Sequence, residues 1–215
     1  MYEDIKEKFC EAEIILDKSQ LVKMDILIDF LTQYNQKVNL TAIKDREGII
    51  EKHLVDSILP LKLYELLEGA NCLDIGTGAG FPAVPMMIFR PDLRFTLLDA
   101  RRKRTDYLKL LVSKLNVNPR EIVHGRAEEL GRSDKYKEKY DMVTARAVSD
   151  LGTLFSYAAP LLKKGGVFMA MRGAKEEMSR EVLSLSDGMG LLFDREVEYE
   201  LPSGDKRRLI TFLKV

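Results

Sequence analysis

Apolar residues recur at three- and four-residue spacing through IKEKFCEAEIIL and LVKMDILIDFLTQYNQKV, the period of helices that bury one face. Ser19, between the two runs, predicts an N-cap for the second. A third helical run, GIIEKHLVDSILPLKLYELL, contains Pro60, whose missing N–H predicts a kink or a break. From Asn71 the period changes. Short apolar runs, CLDI, RFTLLDA, EIVHG, YDMVTA and GVFMAM, alternate with the helical stretches VPMMIF, RKRTDYLKLLVSKL, LGTLFSYAAPLL and AKEEMSREVLSL. That alternation predicts a parallel sheet with crossover helices on both faces. The last segment, LLFDREVEYELPSGDKRRLITFLKV, holds two strand-like runs around Pro202-Ser203-Gly204-Asp205. It predicts a hairpin that sets an antiparallel strand beside the parallel ones. The expectation is an α/β fold with a helical extension over residues 1–70 and a sheet domain over residues 71–215.

The first sheet strand runs into LDIGTGAGFP, with glycines at 76, 78 and 80. In a doubly wound sheet, ligands bind beyond the carboxyl ends of the strands, and glycine lets the backbone come close. The second strand ends at Asp99, 23 residues after Gly76, where a carboxylate can accept both hydroxyls of a ribose. A nucleotide-type cofactor is therefore the leading reading, with purely structural glycines as the alternative. Gly78-Ala79-Gly80-Phe81-Pro82-Ala83 also matches the dinucleotide pattern G-x-G-x-x-G/A, so a nicotinamide cofactor stays open on the glycines alone. Asp74 before the first glycine argues against a pyrophosphate, and Pro82 and Pro85 remove amides that a phosphate would use. A ligand with a ribose, a positively charged amino group and no phosphate suits the loop better, and S-adenosylmethionine has these properties.

Composition narrows the class only a little. The chain has 215 residues, 46% hydrophobic and 32% charged, ordinary for a soluble folded protein. No apolar run approaches the roughly 18 residues of a membrane span, and MYEDIKEKFC has no signal-peptide pattern. Cys10 and Cys72 form neither a zinc set nor a disulfide framework. A reduced, cytoplasmic, metal-free monomer is expected. The net charge is zero but uneven: residues 1–70 carry 9 basic against 14 acidic groups, and the remainder 25 against 20. A mildly basic body allows a polyanionic partner.

Beyond the glycine loop, YNQKVNLTAI, KHLVDSI, DIGTGAGFPAVPMMI, LLDARRKRTDYLK, GRAEEL and YDMVTARAVSDL follow one another along the chain. In content, order and spacing they resemble the RsmG (GidB) family of bacterial 16S rRNA guanine-N7 methyltransferases. The resemblance implies a Rossmann-like class I methyltransferase fold with an amino-terminal helical extension. It implies methylation of N7 of one guanine in the 530 loop of 16S rRNA, free or in the small ribosomal subunit. Gly76, Gly78, Phe81 and Asp99 would then meet S-adenosylmethionine, Ala127 and Glu128 would flank the adenine, and Arg146 would stand at the cofactor and target-base pocket.

The chemistry of N7 fits what the sequence lacks. No Pro-Cys nucleophile stands at a sheet edge, and no Asp/Asn-Pro-Pro-aromatic segment occurs. N7 carries no proton and needs no general base, so no residue is assigned as acid or base. Positioning suffices. Arg146 can alternatively serve a structural ion pair with Asp141 or Asp150. Arg101, Arg102, Lys103 and Arg104 open a predicted helix, where the dipole disfavours cations, so they are either rim contacts to RNA phosphate or a solvated face. Lys163, Lys164, Arg172 and Lys175 flank the fifth strand and can extend that rim. Lys206, Arg207 and Arg208 are explained equally by edge protection. His53, within KHLVDSI, is read as site-facing by resemblance, and His124 as structural. Asn39-Leu40-Thr41 is read as a polar loop near the cofactor mouth, a candidate lid. The absence of net positive charge favours an assembling ribosomal particle over naked RNA.

Overall fold

The computed structural model describes residues 2–146, 149–174 and 178–215. Lys175, with two further positions of the predicted run AKEEMSREVLSL, lies outside them.

Seven strands form one sheet: β1 (Asn71–Ile75), β2 (Arg94–Asp99), β3 (Glu121–His124), β4 (Tyr140–Arg146), β5 (Leu162–Gly173), β6 (Leu191–Glu200) and β7 (Lys206–Lys214). Their order is β3-β2-β1-β4-β5-β7-β6. The first five are parallel, and β7 runs antiparallel to both β5 and β6. The chain order reverses between β1 and β4, and a ligand crevice opens at such a switch point.

Period-2 alternation sorts the strand side chains onto two faces. Cys72, Leu97, Met142 and Met169 enter one core, and Leu73, Leu98, Val143 and Phe168 the other. Strands covered on both faces read as continuous apolar runs, so β1 and β2 were legible as short hydrophobic stretches. The second face is covered by α7 (Ala127–Leu130), α8 (Leu151–Ala158) and α9 (Arg180–Gly188).

The first face is covered by α5 (Ala83–Phe89) and α6 (Arg102–Leu115), and outside them by the amino-terminal helices. Of these, α1 spans Glu3–Glu11 and α2 Lys18–Asn35. Leu21, Met24, Leu27, Ile28 and Leu31 of α2 are buried at helical spacing in the same core as Leu108 and Met86. Each such side chain stabilises by about 1.5–3 kcal/mol relative to exposure.

Two local expectations need correction. Asp17, not Ser19, caps α2: its carboxylate accepts from Gln20 N–H at 2.8 Å, and the Gln20 side chain accepts from Asp17 N–H at 2.9 Å. Serine and aspartate both cap well, but only Asp17 has a glutamine three residues on to return the bond. Nor does the third helix break at Pro60. Helical backbone runs from α3 (Arg46–Ile49) through a π-helical turn (Ile50–Val55) into α4 (Asp56–Leu63), with Pro60 inside it. The irregularity lies a turn and more upstream of the proline, where it bears on function.

Candidate active site

The glycine loop leaves β1 at its carboxyl end. Gly76 and Gly78 have φ of 67° and 59°, a left-handed conformation that glycine adopts without steric cost. A Cβ on Gly78 would sit in ordinary van der Waals contact, 3.7 Å from the Gly76 carbonyl and 3.8 Å from Arg104 Nη1, so backbone conformation and not crowding calls for glycine there. Gly80 serves a different end: a Cβ there would lie 2.9 Å from the Val84 side chain, so glycine at 80 permits α5 to pack against the loop.

Beneath the loop, Asp74 is fully buried and accepts the Thr77 hydroxyl, while its Oδ1 has no partner among the described residues. Burial pushes its pKa up to about 8, opposed by the Thr77 hydrogen bond. Asp74 is therefore largely protonated at neutral pH, and its charge is not the obstacle to a pyrophosphate that the sequence suggested. The stiff proline-containing start of α5 still is. Asp99, at the end of β2, is 3% exposed. Its Oδ1 accepts from Arg101 N–H at 2.8 Å, and its Oδ2 from Gly78 N–H at 3.0 Å and from Arg104 Nη1 at 3.4 Å.

A cleft of about 370 Å³ opens over these groups, lined by Gly76, Gly78, Phe81, Asp99, Arg101 and Arg104 together with Leu40, Thr41, His53 and Arg146. One wall thus comes from the amino-terminal segment. The His53 ring stacks on Phe81 at 4.5 Å and 15°, and the Arg146 guanidinium stands 5.3 Å from the same ring. Arg146 donates to Lys52 C=O at 3.1 Å and to Asp56 Oδ2 at 3.3 Å, and its Nη2 lies 3.2 Å from His53 Nδ1. Arginine only donates, so Nδ1 accepts and the His53 proton sits on Nε2. That proton goes to Thr41 Oγ1, 2.8 Å away. Burial first, and the Arg146 cation second, push the His53 pKa from 6.5 down to about 3. The imidazole is neutral throughout the physiological range.

The π-helical turn presents Lys52 C=O and His53 to Arg146 from a single turn of backbone. Such turns occur inside helices often at functional sites. The β6–β7 hairpin holds this turn from the other side. Its cross-strand pair Tyr199 and Arg207 meets Asp56 Oδ1 at 3.0 and 3.5 Å. Ser203 N–H donates to Glu51 at 2.9 Å, and Asp205 pairs with Lys52 at 2.9 Å.

His53 and Arg146 also line a second cleft, of about 340 Å³, with Lys52, Asp56, Met171, Arg172, Tyr199 and Arg207. The two side chains thus form a shared wall between the clefts. A third cleft, beside the first, is lined by Lys37, Val38, Asn39 and Arg101 through Arg104.

Of the sequence-predicted residues, Gly76, Gly78, Phe81, Asp99, His53, Arg101, Arg104 and Arg146 meet at the first cleft, and Arg172 borders the second. Arg102 and Asn39 face the third cleft, while Leu40 and Thr41, the other two residues of the predicted polar loop, line the first. Ala127 is buried at the start of α7 and Glu128 is exposed; neither lines the first cleft, though the preceding Gly125 N–H bonds to Asp99 C=O at 3.2 Å. Lys164 lies at the opposite end of β5 from Arg172, beside Asp141, and is not brought to the site. Arg146 pairs with neither Asp141, which holds Asn71 and Lys163, nor Asp150, which caps α8. Its partner is Asp56, and the signal for that, the aspartate in KHLVDSI, was visible but unassigned. Cys72 is buried in the core with its thiol pKa pushed up by burial, and the His124 ring lies 3.2 Å from the Ala100 carbonyl.

The strand order, with the glycine loop and the carboxylate at the end of β2, is the Rossmann-like fold shared by solved class I methyltransferases, among them one with S-adenosylmethionine bound. A solved SAM-dependent methyltransferase from Aquifex aeolicus superposes with a TM-score of 0.62 at 18% identity, over 82% of this chain and 97% of that one. Within the class, residues 20–203 match the GidB family, rRNA small subunit methyltransferase G, and the chain belongs to it. Ribosomal RNA small subunit methyltransferase G of Lactococcus lactis is 39% identical over 93% of this chain and 84% of its own length. That of Desulfitobacterium hafniense is 44% identical over 80% and 72%. Among the described residues no helix is long and apolar enough to cross a membrane, and no group of three or more His, Cys, Asp or Glu could hold a metal.

Proposed function

We propose that this protein methylates N7 of a guanine in the 530 loop of 16S rRNA, in the small ribosomal subunit, acting as a cytoplasmic monomer without a metal. The observation that carries the reading is the shared wall: a neutral histidine and a partly buried arginine between a ribose-type cleft and a second, cation-lined one.

The residues present fit the cofactor. Asp99 keeps one acceptor position free on Oδ1 in its buried setting, Gly76 and Gly78 allow close approach, and Phe81 offers an apolar face. In this reading these four hold S-adenosylmethionine, Ala127 and Glu128 stand at its adenine end, and Arg146 with His53 stands at its reactive end. Bound there, the cofactor supplies an electrophilic methyl group. The protein's own residues orient and exclude. Guanine N7 attacks through an in-plane lone pair, so an acid aimed at it would compete for that pair. The His53 imidazole, kept neutral with its one proton given to Thr41, offers none. Arg146, Arg172, Lys52 and Arg207 around the second cleft favour the phosphates that flank a flipped-out base. Residues 71–215 carry the transferase, and residues 1–70 supply the helical wall.

Incubation with methyl-labelled S-adenosylmethionine and small-subunit particles lacking this modification tests the reading. Label in 16S rRNA is expected. Absence of label, with the cofactor shown to bind by calorimetry, contradicts it.

A further inference from the structure

Arg104 belongs to two clefts at once. It lines the glycine-loop cleft, where its Nη1 reaches Asp99, and the adjoining cleft of about 440 Å³ lined by Lys37, Val38, Asn39, Arg101, Arg102 and Lys103. We propose that Arg104 is a two-position residue that couples the clefts: a ribose on Asp99 displaces it, and the displaced guanidinium completes a binding site for RNA backbone phosphate. The inference rests on the function proposed above and adds a binding order to it.

Acceptor capacity on Asp99 is limited. A carboxylate offers about four lone-pair positions, and three on Asp99 are taken. Oδ2 is full, with Gly78 N–H and Arg104. Oδ1 has one position open. A ribose held by both hydroxyls needs two. The Gly78 and Arg101 amides are fixed in the backbone and bond at 3.0 and 2.8 Å. Arg104 contributes the longest contact, 3.4 Å, near the outer limit for such a bond, and it sits on a flexible stem. Arg104 is therefore the donor that yields.

The second position is set by charge. Among the described residues, no acidic group pairs with Arg101, Arg102 or Lys103, and no acidic residue lines the adjoining cleft. These cations crowd the first turn of α6, where the helix dipole disfavours them. A displaced Arg104 adds one more positive charge to a cleft that has no carboxylate to receive it. An anion is the missing group, and the phosphates of the RNA substrate are the anions at hand. Coupling of this kind is reciprocal: bound RNA must tighten the cofactor by the same factor.

The test is a thermodynamic cycle. Affinity for RNA in its particle is measured by fluorescence anisotropy of the labelled protein titrated with small-subunit particles that lack the modification, with and without saturating S-adenosylhomocysteine. The expected result for the wild type is a fivefold or greater tightening, in the usual range of such couplings. A steeper dependence of log Kd on log salt is also expected, by about the 0.7–0.9 unit that one added phosphate contact brings. In Arg104→Met the tightening and the added salt slope vanish, while S-adenosylhomocysteine alone binds, by calorimetry, as tightly as before or more so. Arg104→Lys restores part of the coupling. Equal coupling in wild type and Arg104→Met overturns the proposal, as does an Arg104→Met protein that loses cofactor affinity tenfold, because Arg104 would then be a direct cofactor contact. Wild-type protein that binds both ligands with no coupling overturns the proposal alone. Failure of S-adenosylhomocysteine or of the small-subunit particles to bind at all overturns the functional reading beneath it.

Discussion

Asp99 carries the most ligand-directed chemistry of any single residue in the chain. It is buried, ionisable and surrounded by donors that leave one acceptor position open. Asp99→Ala is expected to weaken S-adenosylmethionine binding at least tenfold, since a hydrogen bond to a charged group is worth about 1.5–3 kcal/mol. Calorimetry measures this, and unchanged affinity would remove the ribose from Asp99. His53 and Asp74 make opposed predictions about pH. The folded pKa of His53, about 3, lies below its ordinary 6.5, so its contribution is complete above 6.5 and is lost as pH falls toward 3. The folded pKa of Asp74, about 8, lies above its ordinary 3.8, so its contribution is present below 3.8 and is lost as pH rises through 8. Between 3.8 and 6.5 the two slopes oppose; from 6.5 to 8 only Asp74 acts, and stability declines. Asp74→Asn should abolish that decline in thermal melts taken across this upper window. A decline of the same slope in the variant would contradict the protonated carboxyl. The carboxylate and the glycines were legible because β1, its loop and β2 are close in sequence. Asp56 and Tyr199, which steady Arg146, were not: they meet across separations of 90 and 143 residues, and no spacing rule reaches that far.

At the scale of elements, the strands could be read because two-sided burial leaves an apolar signature that needs no partner to be recognised. The helix ends were harder, since an N-cap depends on which of several polar residues finds a donor. Asp17→Ala is expected to cost about 0.5–2 kcal/mol of stability in denaturant melts and to leave cofactor affinity unchanged. A loss of affinity would mean that α2 is coupled to the cleft more tightly than its packing indicates. The π-helical turn had no sequence signal at all. Pro60 drew attention because proline's effect on a helix is local and known, whereas the turn that matters is held from outside, by Arg146 on one side and by Ser203 and Asp205 of the β6–β7 hairpin on the other. It is a tertiary feature written into a helix.

Across the whole molecule, a net charge of zero conceals a site edge rich in cations. The acidic excess lies in residues 1–70, 14 acidic against 9 basic groups, while Arg101 to Arg104, Arg172 and Arg207 gather where the clefts open. Reversing Arg101 and Arg102 to glutamate is expected to reduce methylation of small-subunit particles tenfold or more at physiological salt, since each lost phosphate contact weakens binding and lowers its salt slope, with S-adenosylmethionine affinity preserved. Full activity in that double variant would return the pair to a solvated face. Lys164 shows the limit of such reading from sequence: flanking the right strand, it stands at the wrong end of it, because a strand of twelve residues separates its two ends by the full depth of the sheet.

The measurement that bears most directly on the central claim maps the product. 16S rRNA from particles treated with this protein and S-adenosylmethionine is reduced with borohydride and cleaved with aniline, which cuts at 7-methylguanosine. A single new cut in the 530 loop is the result expected. Methylated rRNA that resists cleavage would contradict methylation at N7, and with it the role of a neutral His53 beside the target base.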